Sequence, residues 1–452
     1  MHPFRLIVTA SALLLAGCAT ASREERATLD RVRDAGALLR PAGHNPDLSS
    51  LTAESSLADY LRFALLNHPQ VEAAYDDWRG AALAIAPARA LPDPKLTFQA
   101  DIAGTLTSLM PGLMFDLMNP GRRTAMAGEA AAASEVAHRR YLTAVLNTAA
   151  EVKKAWIDLS ALEETRRLQQ RALGLAEEAI RFSHAEHATM HAMGSLDQLA
   201  QQLNDAGRLR LAVANLDDQR NAARARLKAA LGLAREAADP PWPAPSALSA
   251  TPLPGDDAFW AAVRTANPRL GEMRAMVAMA AAAVAVEQRT RTPEIAAGLM
   301  ADVKMNPVLW RPLGEISLPL WRQKIAAAVA AARARHDAAA ARLQAEELMV
   351  AADLARLTFM VREADRMVAY LDETALPNLR QSLASLSAAY VTGMTGFAMI
   401  PETQKMILAM QIERVAALRD REETLTDLSL LVAGTPPAGA PLPVNSVAAI
   451  QP

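Results

Sequence analysis

The chain has 452 residues, a net charge of −2 and one cysteine, which excludes an internal disulfide. Aromatic residues make up 4% of it while alanine and leucine abound, a composition of long helices and not of a β-sandwich. It carries no basic stripe interleaved with aromatics, so no nucleic-acid partner is expected.

His2 and Arg5 precede an apolar run from Leu6 to Leu15 that is too short to span a bilayer as a helix, so residues 1–17 read as a targeting signal. Leu15-Ala16-Gly17-Cys18 resembles the lipobox of bacterial lipoproteins, which implies removal of the signal and a covalent lipid on Cys18. An ordinary secretory signal with an incidental cysteine is the alternative. Ala19 follows the cysteine where an aspartate would resemble an inner-membrane retention signal, so the outer membrane is the expected location. Residues 18–55 are polar, with Pro41, Gly43 and Pro46, and read as an irregular, extended arm. No later apolar run is long enough for a membrane helix.

Two repeats follow. Asn67-His68-Pro69 is echoed by Ala266-Asn267-Pro268, and Pro94-Lys95-Leu96 by Pro293-Glu294-Ile295. Both pairs lie 199 residues apart (268 − 69 and 293 − 94). Leu231-Gly232 is likewise echoed by Ala433-Gly434. The units are residues 56–234 and 257–434, joined by a proline-rich linker, 235–256, and followed by a tail, 435–452, expected to be disordered.

In the first unit Ser56 is a candidate N-cap and Pro69 a candidate helix start. The apolar period then falls from 3.6 to 2. Leu96, Phe98, Ala100 and Ile102 alternate with Lys95, Thr97, Gln99 and Asp101, the pattern of a membrane strand apolar outside and polar inside. Pro111-Gly112 reads as a turn, with a second strand through Leu113, Phe115 and Leu117. In the second unit Ile295, Ala297, Leu299, Ala301 and Val303 form the outer row. Asn306-Pro307 and Pro312 punctuate a loop, and Ile316, Leu318 and Leu320 make the last strand. Four such strands cannot close a barrel, and lipid forbids an open edge, so other chains must complete it.

Each strand pair leads into a helix of extreme length, from about Arg122 to Met190, where there is no proline, and from about Lys324 to Tyr390, with return helices after each. Val145, Ala149, Val152, Trp156, Leu159 and Leu162 recur at coiled-coil spacing, which predicts a narrow seam. The expected fold is therefore mainly α, with long helical hairpins plus four short membrane strands per chain.

This order resembles the TolC-like outer-membrane factor (outer-membrane efflux protein) family. The carriers are the Asn-His-Pro and Ala-Asn-Pro openings, the paired strand starts, and Leu376-Pro377-Asn378-Leu379 through Ala389-Tyr390-Val391-Thr392-Gly393. The resemblance implies a homotrimer whose strands share one barrel in outer-membrane lipid and whose helices line a periplasmic tunnel. It implies turns around Gly194 and Gly393–Gly396 that form the periplasmic tip, where an adaptor (membrane fusion) protein docks, and an inner-membrane pump that feeds the duct. It implies no catalysis and no cofactor beyond the lipid on Cys18.

Asp197 fits the acidic residue the family often carries near its tip, and serves equally as a helix N-cap. The second tip, Met394 through Pro401, has no such carboxylate. His184, His187 and His191 share one helical face, with Met190 and Met193 beside them, and Met394 and Met399 lie in the second tip. Imidazole and thioether are soft-metal ligands, so copper or silver is one expected cargo. Methionines filling gaps and solvated histidines are the plainer account, with organic solutes as cargo. Glu163-Glu164 and Glu177-Glu178 lie among basic residues and read as solvated faces. A trimeric, non-conducting envelope spacer is the competing reading; it has no use for four alternating segments.

Overall fold

A computed structural model of the chain describes residues 22–40, 46–52, 54–102, 106–188, 196–242, 256–394 and 399–432. The first unit comprises helices α2 (Leu57–Asn67), α3 (Pro69–Leu83) and α4 (Ile85–Arg89), then strands β1 (Lys95–Ile102) and β2 (Leu106–Leu117). The rod helix α5 (Pro120–Ala188) and its return α6 (Leu196–Ala230) complete it. The second unit repeats the order with α7 (Asp256–Ala266), α8 (Pro268–Arg289), β3 (Glu294–Asp302) and β4 (Leu309–Ser317). Its rod is α9 (Arg322–Tyr370), continued through a π turn at Leu371–Ala375 into α10 (Leu376–Val391), and it returns as α11 (Met399–Leu431).

The residues that open each unit do so for local reasons. The Ser56 N–H donates to Asp59 Oδ2 at 2.8 Å, one half of a capping box. Pro69 stands in the first turn of α3, where its missing N–H costs nothing. His68 Nδ1 accepts from the Gln70 N–H at 3.2 Å, and Asn267 Oδ1 accepts from the Leu270 N–H at 3.0 Å, so the two motifs cap equivalent helices with different side chains. The π turn directly precedes Pro377. A wider turn there relieves the clash between the proline ring and the preceding turn's carbonyl.

The four strands form one antiparallel meander, β1-β2-β3-β4, in which the β2–β3 pair joins the two units. The expected turn at Pro111-Gly112 is not a turn: β2 runs straight through it, opposite Phe98 and Thr97. A Cβ on Gly112 would meet the Met300 side chain at 2.4 Å and Thr97 Oγ1 at 2.8 Å, so close inter-strand approach and not chain reversal requires this glycine. The ladder to β3 stops at Gly112↔Met300, one residue short of Pro111, which has no N–H to give, and resumes with the Val303 N–H on Leu109 O at 3.0 Å. The last strand also differs. It spans Leu309–Ser317 and includes Pro312, while Leu318, Pro319 and Leu320 lie beyond it. Ladder alternation turns the missing Pro312 N–H toward the sheet's open edge, where it interrupts nothing.

Two further expectations fail. The arm is not irregular throughout: an additional helix, α1, spans Arg23–Leu39. The Glu25 N–H donates to Ser22 Oγ at 3.0 Å to cap it, and Val32, Ala35 and Leu39 are buried against the first unit. A Cβ on Gly36 would meet Tyr75 Oη at 2.3 Å, and the Tyr75 hydroxyl donates to Val32 O at 3.2 Å. Nor is the α5 seam narrow. Between Tyr141 and Ala161 the helix is buried on several sides, because α2, α3, α6 and α11 all pack on it. The core there is aromatic: Tyr60 meets Trp156 edge-on at 5.0 Å, and Trp78 stacks on Tyr141 at 5.5 Å.

Candidate functional site

The sheet has two chemically different faces. The row that contains Leu96, Phe98, Leu113, Phe115, Leu299 and Ile316 is exposed, with Phe98 at 69%. The other face buries Ser108, Met110, Met300 and Asp302. Its polar groups are paired: Ser108 Oγ donates to Asp302 Oδ2 at 2.8 Å, and Lys95 Nζ lies 2.7 Å from Asp116 Oδ2. Met114 also lies on this face. Below the sheet, Arg122 pairs with Glu294 across the two units. Among the described residues β1 and β4 each have one neighbouring strand, so both edges of the sheet are open.

The rods extend this sheet. At about 1.5 Å per residue, the 69 residues of α5 reach about 100 Å. Ion pairs lace each hairpin. Arg166 Nε sits 2.6 Å from Asp217, Arg210 lies 2.8 Å from Glu177, and Arg414 binds both Asp372 oxygens, at 2.5 and 2.9 Å. Glu163 meets Arg220 and Arg224, and Glu164 meets Arg167. These carboxylates join helices or their own solvated face, and none forms an acid–base pair.

One charged cluster is absent from the sequence reading. Lys153 on α5 is 3% exposed, and burial pulls its pKa down against the pull of Glu422. Burial likewise pushes the Glu422 carboxyl up. Beside them Glu423 is pushed up to about 7 by burial and by its hydrogen bond with Asp158. The clue was a lysine directly beside a seam position, Val152. It becomes visible only once α5 is known to be surrounded.

At the second tip Gly393 has φ +74°, and the Met394 N–H donates back to Ala389 O at 2.9 Å, which ends α10 in a left-handed cap. Met394 and Met399 flank this turn, and both are exposed. At the first tip His184 is exposed near the end of α5. Asp197 stands in the first turn of α6 and His187 in the last turn of α5, with both side chains outside the described residues. Met190, His191, Met193, Gly194 and Gly396 lie outside them too, as does Cys18.

No protein-family model matches the chain, and no curated protein matches it either. Solved structures do. The outer-membrane channel OprN superposes with a TM-score of 0.71 at 16% identity, over 87% of this chain and 95% of that one. The Campylobacter jejuni CmeC outer membrane channel gives 0.69 at 13% identity, over 92% and 95%. The open state of the Neisseria gonorrhoeae MtrE outer membrane channel gives 0.69 at 17% identity, over 86% and 97%. The chain has the fold of TolC-like outer-membrane factors.

Proposed function

We propose that three copies of this TolC-like chain close their sheets into one outer-membrane barrel and form the exit duct of a tripartite efflux system. The sheet carries the reading: its outer row is apolar, its inner face is polar, and both of its edges are open. An unpaired edge in hydrocarbon leaves a row of N–H and C=O groups unsatisfied at several kcal/mol each, so β1 of one copy pairs with β4 of the next. The rods then continue the bore into the periplasm, where an adaptor docks at the tips and an inner-membrane pump supplies cargo. The duct supplies a water-filled path, not chemistry.

The lipid belongs to the same reading. Glu25, at the start of α1, pairs with Arg89 at 3.0 Å, just before β1, so the helix begins at the sheet end of the molecule. Cys18, four residues before the Ser22 cap, is the acylated residue in this account. Copper or silver ions are the cargo that His184, His187 and His191 with Met190 and Met193 favour; organic solutes are the alternative.

Cross-linking in native envelopes, followed by planar-bilayer recording of the extracted protein, tests the assembly. A trimer that carries ion current is expected, with labelled palmitate incorporated by the natural chain and lost in Cys18→Ser. Monomers only, or a trimer imaged as a solid stalk as the spacer reading requires, overturn it. Unchanged copper and silver tolerance in cells with His184, His187 and His191 all replaced by alanine removes the metal cargo and leaves the duct.

A further inference from the structure

A cavity of about 410 Å³ lies between α1 and α3, within the size range of small-ligand sites. Three contacts set how these helices face each other. Arg40 pairs with Glu72, Gly36 lies against Tyr75, and Glu25 pairs with Arg89, so α1 runs antiparallel to the α3–α4 stretch. That register brings Arg33 level with Arg79 and, nearer the sheet, Leu29 level with Leu83. All four line the cavity. Packed helices lie about 8–10 Å apart, so two arginine side chains at one level reach a single anion between them.

Charge and polarity divide the cavity along its length. Its lining carries Arg33, Arg40 and Arg79 against one carboxylate, Glu72, which Arg40 already holds. Arg33 lies 2.7 Å from Asp30 and 4.0 Å from Asp34, and Arg79 lies 3.7 Å from Asp76. These aspartates sit on the same helix as their arginine and outside the cavity lining. All five side chains are more than half exposed, so such pairs hold weakly and yield to a better-placed anion. A phosphate offers each guanidinium two oxygens at once. Toward the sheet the slot turns apolar: Leu83 is exposed and Leu29 half-buried. A lipid whose tails lie beside membrane strands points its head toward the helical body, so its charge and its chain fall in this same order.

We propose that the slot between α1 and α3 binds one anionic phospholipid, its phosphate between Arg33 and Arg79 and one acyl chain along Leu29 and Leu83. The inference rests on the reading of the sheet as the membrane part of the molecule. It gives α1 a role beyond packing, since this helix supplies half of a lipid clamp.

The test is native mass spectrometry of the full-length protein in neutral detergent, titrated with phosphatidylglycerol or with phosphatidylcholine of the same acyl chains. The natural chain is expected to take up one phosphatidylglycerol per chain, about tenfold or more tightly than phosphatidylcholine. Arg33→Gln/Arg79→Gln is expected to erase that preference and leave phosphatidylcholine binding unchanged, while Arg33→Lys/Arg79→Lys keeps most of it. Leu29→Asn/Leu83→Asn is expected to weaken both lipids. An equal preference in the glutamine variant and the natural chain overturns the site. Displacement of the lipid by an equal concentration of inorganic phosphate also overturns it, because the slot would then hold a bare anion. The same spectra report the oligomer. Selective lipid binding to single chains that never form trimers refutes the assembly and leaves the site, whereas trimers without the preference refute the site alone.

Discussion

The two units share one backbone plan and stabilise it differently. The first packs Tyr60, Trp78, Tyr141 and Trp156 into one continuous core, and α1 lies across it. The second holds together through a smaller, mainly aliphatic set around Val350, Leu354, Leu357, Val361 and Leu425, with Phe259 as its buried aromatic. Its rod also presents Leu348, Phe359 and Tyr370 to solvent, at 74%, 56% and 56% exposure, at steps of eleven residues. An eleven-residue step is close to three full helical turns, so these side chains form one stripe. The rod of the first unit, α5, exposes no large apolar side chain among the described residues, although Leu203 and Leu211 on its return helix are exposed. The second leaves a stripe that the proposed trimer would cover with a neighbouring copy.

Removing the aromatic centre of the first unit breaks this contrast most directly. Trp78 is 1% exposed and contacts Tyr75, His138 and Tyr141. Its counterpart at the 199-residue offset is the half-buried Val277. Trp78→Ala is expected to destabilise the chain by about 3–5 kcal/mol, and Val277→Ala by about 1 kcal/mol or less. Denaturant unfolding of the purified protein measures both. Similar shifts in midpoint would mean that the two units carry equal loads.

The glycine pair sharpens the comparison at the next scale. Gly232 and Gly393 both have positive φ, at 76° and 74°. Only Gly232 is crowded: a Cβ there would lie 2.9 Å from both Asn67 O and His68 Cα, so the end of the first unit is seated on its own opening motif. Gly393 faces open space. Gly393→Ala therefore meets backbone strain of about 1 kcal/mol, while Gly232→Ala adds an overpacking cost, for a total of about 3 kcal/mol. Thermal unfolding followed by circular dichroism separates the two variants. Matching curves would show that the seat at Asn67 yields freely.

What the sequence made legible was local. The Ser56 and Pro69 helix starts, β1 and the long rods each follow from period, cap or breaker, while the turn at Gly393 came from the family resemblance. What it hid was tertiary. Pro111-Gly112 carries a genuine turn signal, and pressure from Met300 and Thr97 decides its role instead. Pro312 reads as a loop residue until the open edge of β4 is known. In α1, Thr28, Val32, Ala35 and Leu39 do recur at helical spacing, yet the charged residues between them mask the stripe, and the Gly36–Tyr75 seat lies in another helix. The seam in α5 was read from one row of side chains, whereas four helices surround it, which is why a buried Lys153 went unanticipated.

The smallest expected effect probes that surrounded segment through pH. Glu423 on α11 faces Asp158 and Lys154 on α5, with Arg419 one turn away, and Asp158 is itself paired to Arg226 on α6. Its carboxyl is pushed up to about 7, so the fold favours the protonated form that hydrogen-bonds to Asp158. A raised carboxyl contributes stability that is fully present below its unfolded pKa and is lost as pH rises through its folded one. The unfolding midpoint of the natural chain should therefore fall as pH rises from the ordinary carboxylate value of 4.5 to about 7, and level off above that. Glu423→Gln, which keeps a hydrogen-bonding group without the charge, should match the natural chain below that window and exceed it at pH 8. The difference at pH 8 is about 1 kcal/mol once the half-buried position and solvent screening are allowed for. Parallel pH profiles for the two proteins would place the titrating group elsewhere. Glu423 and Asp158 face each other where α11 packs on α5, so the slope reads a contact through which the two units hold each other.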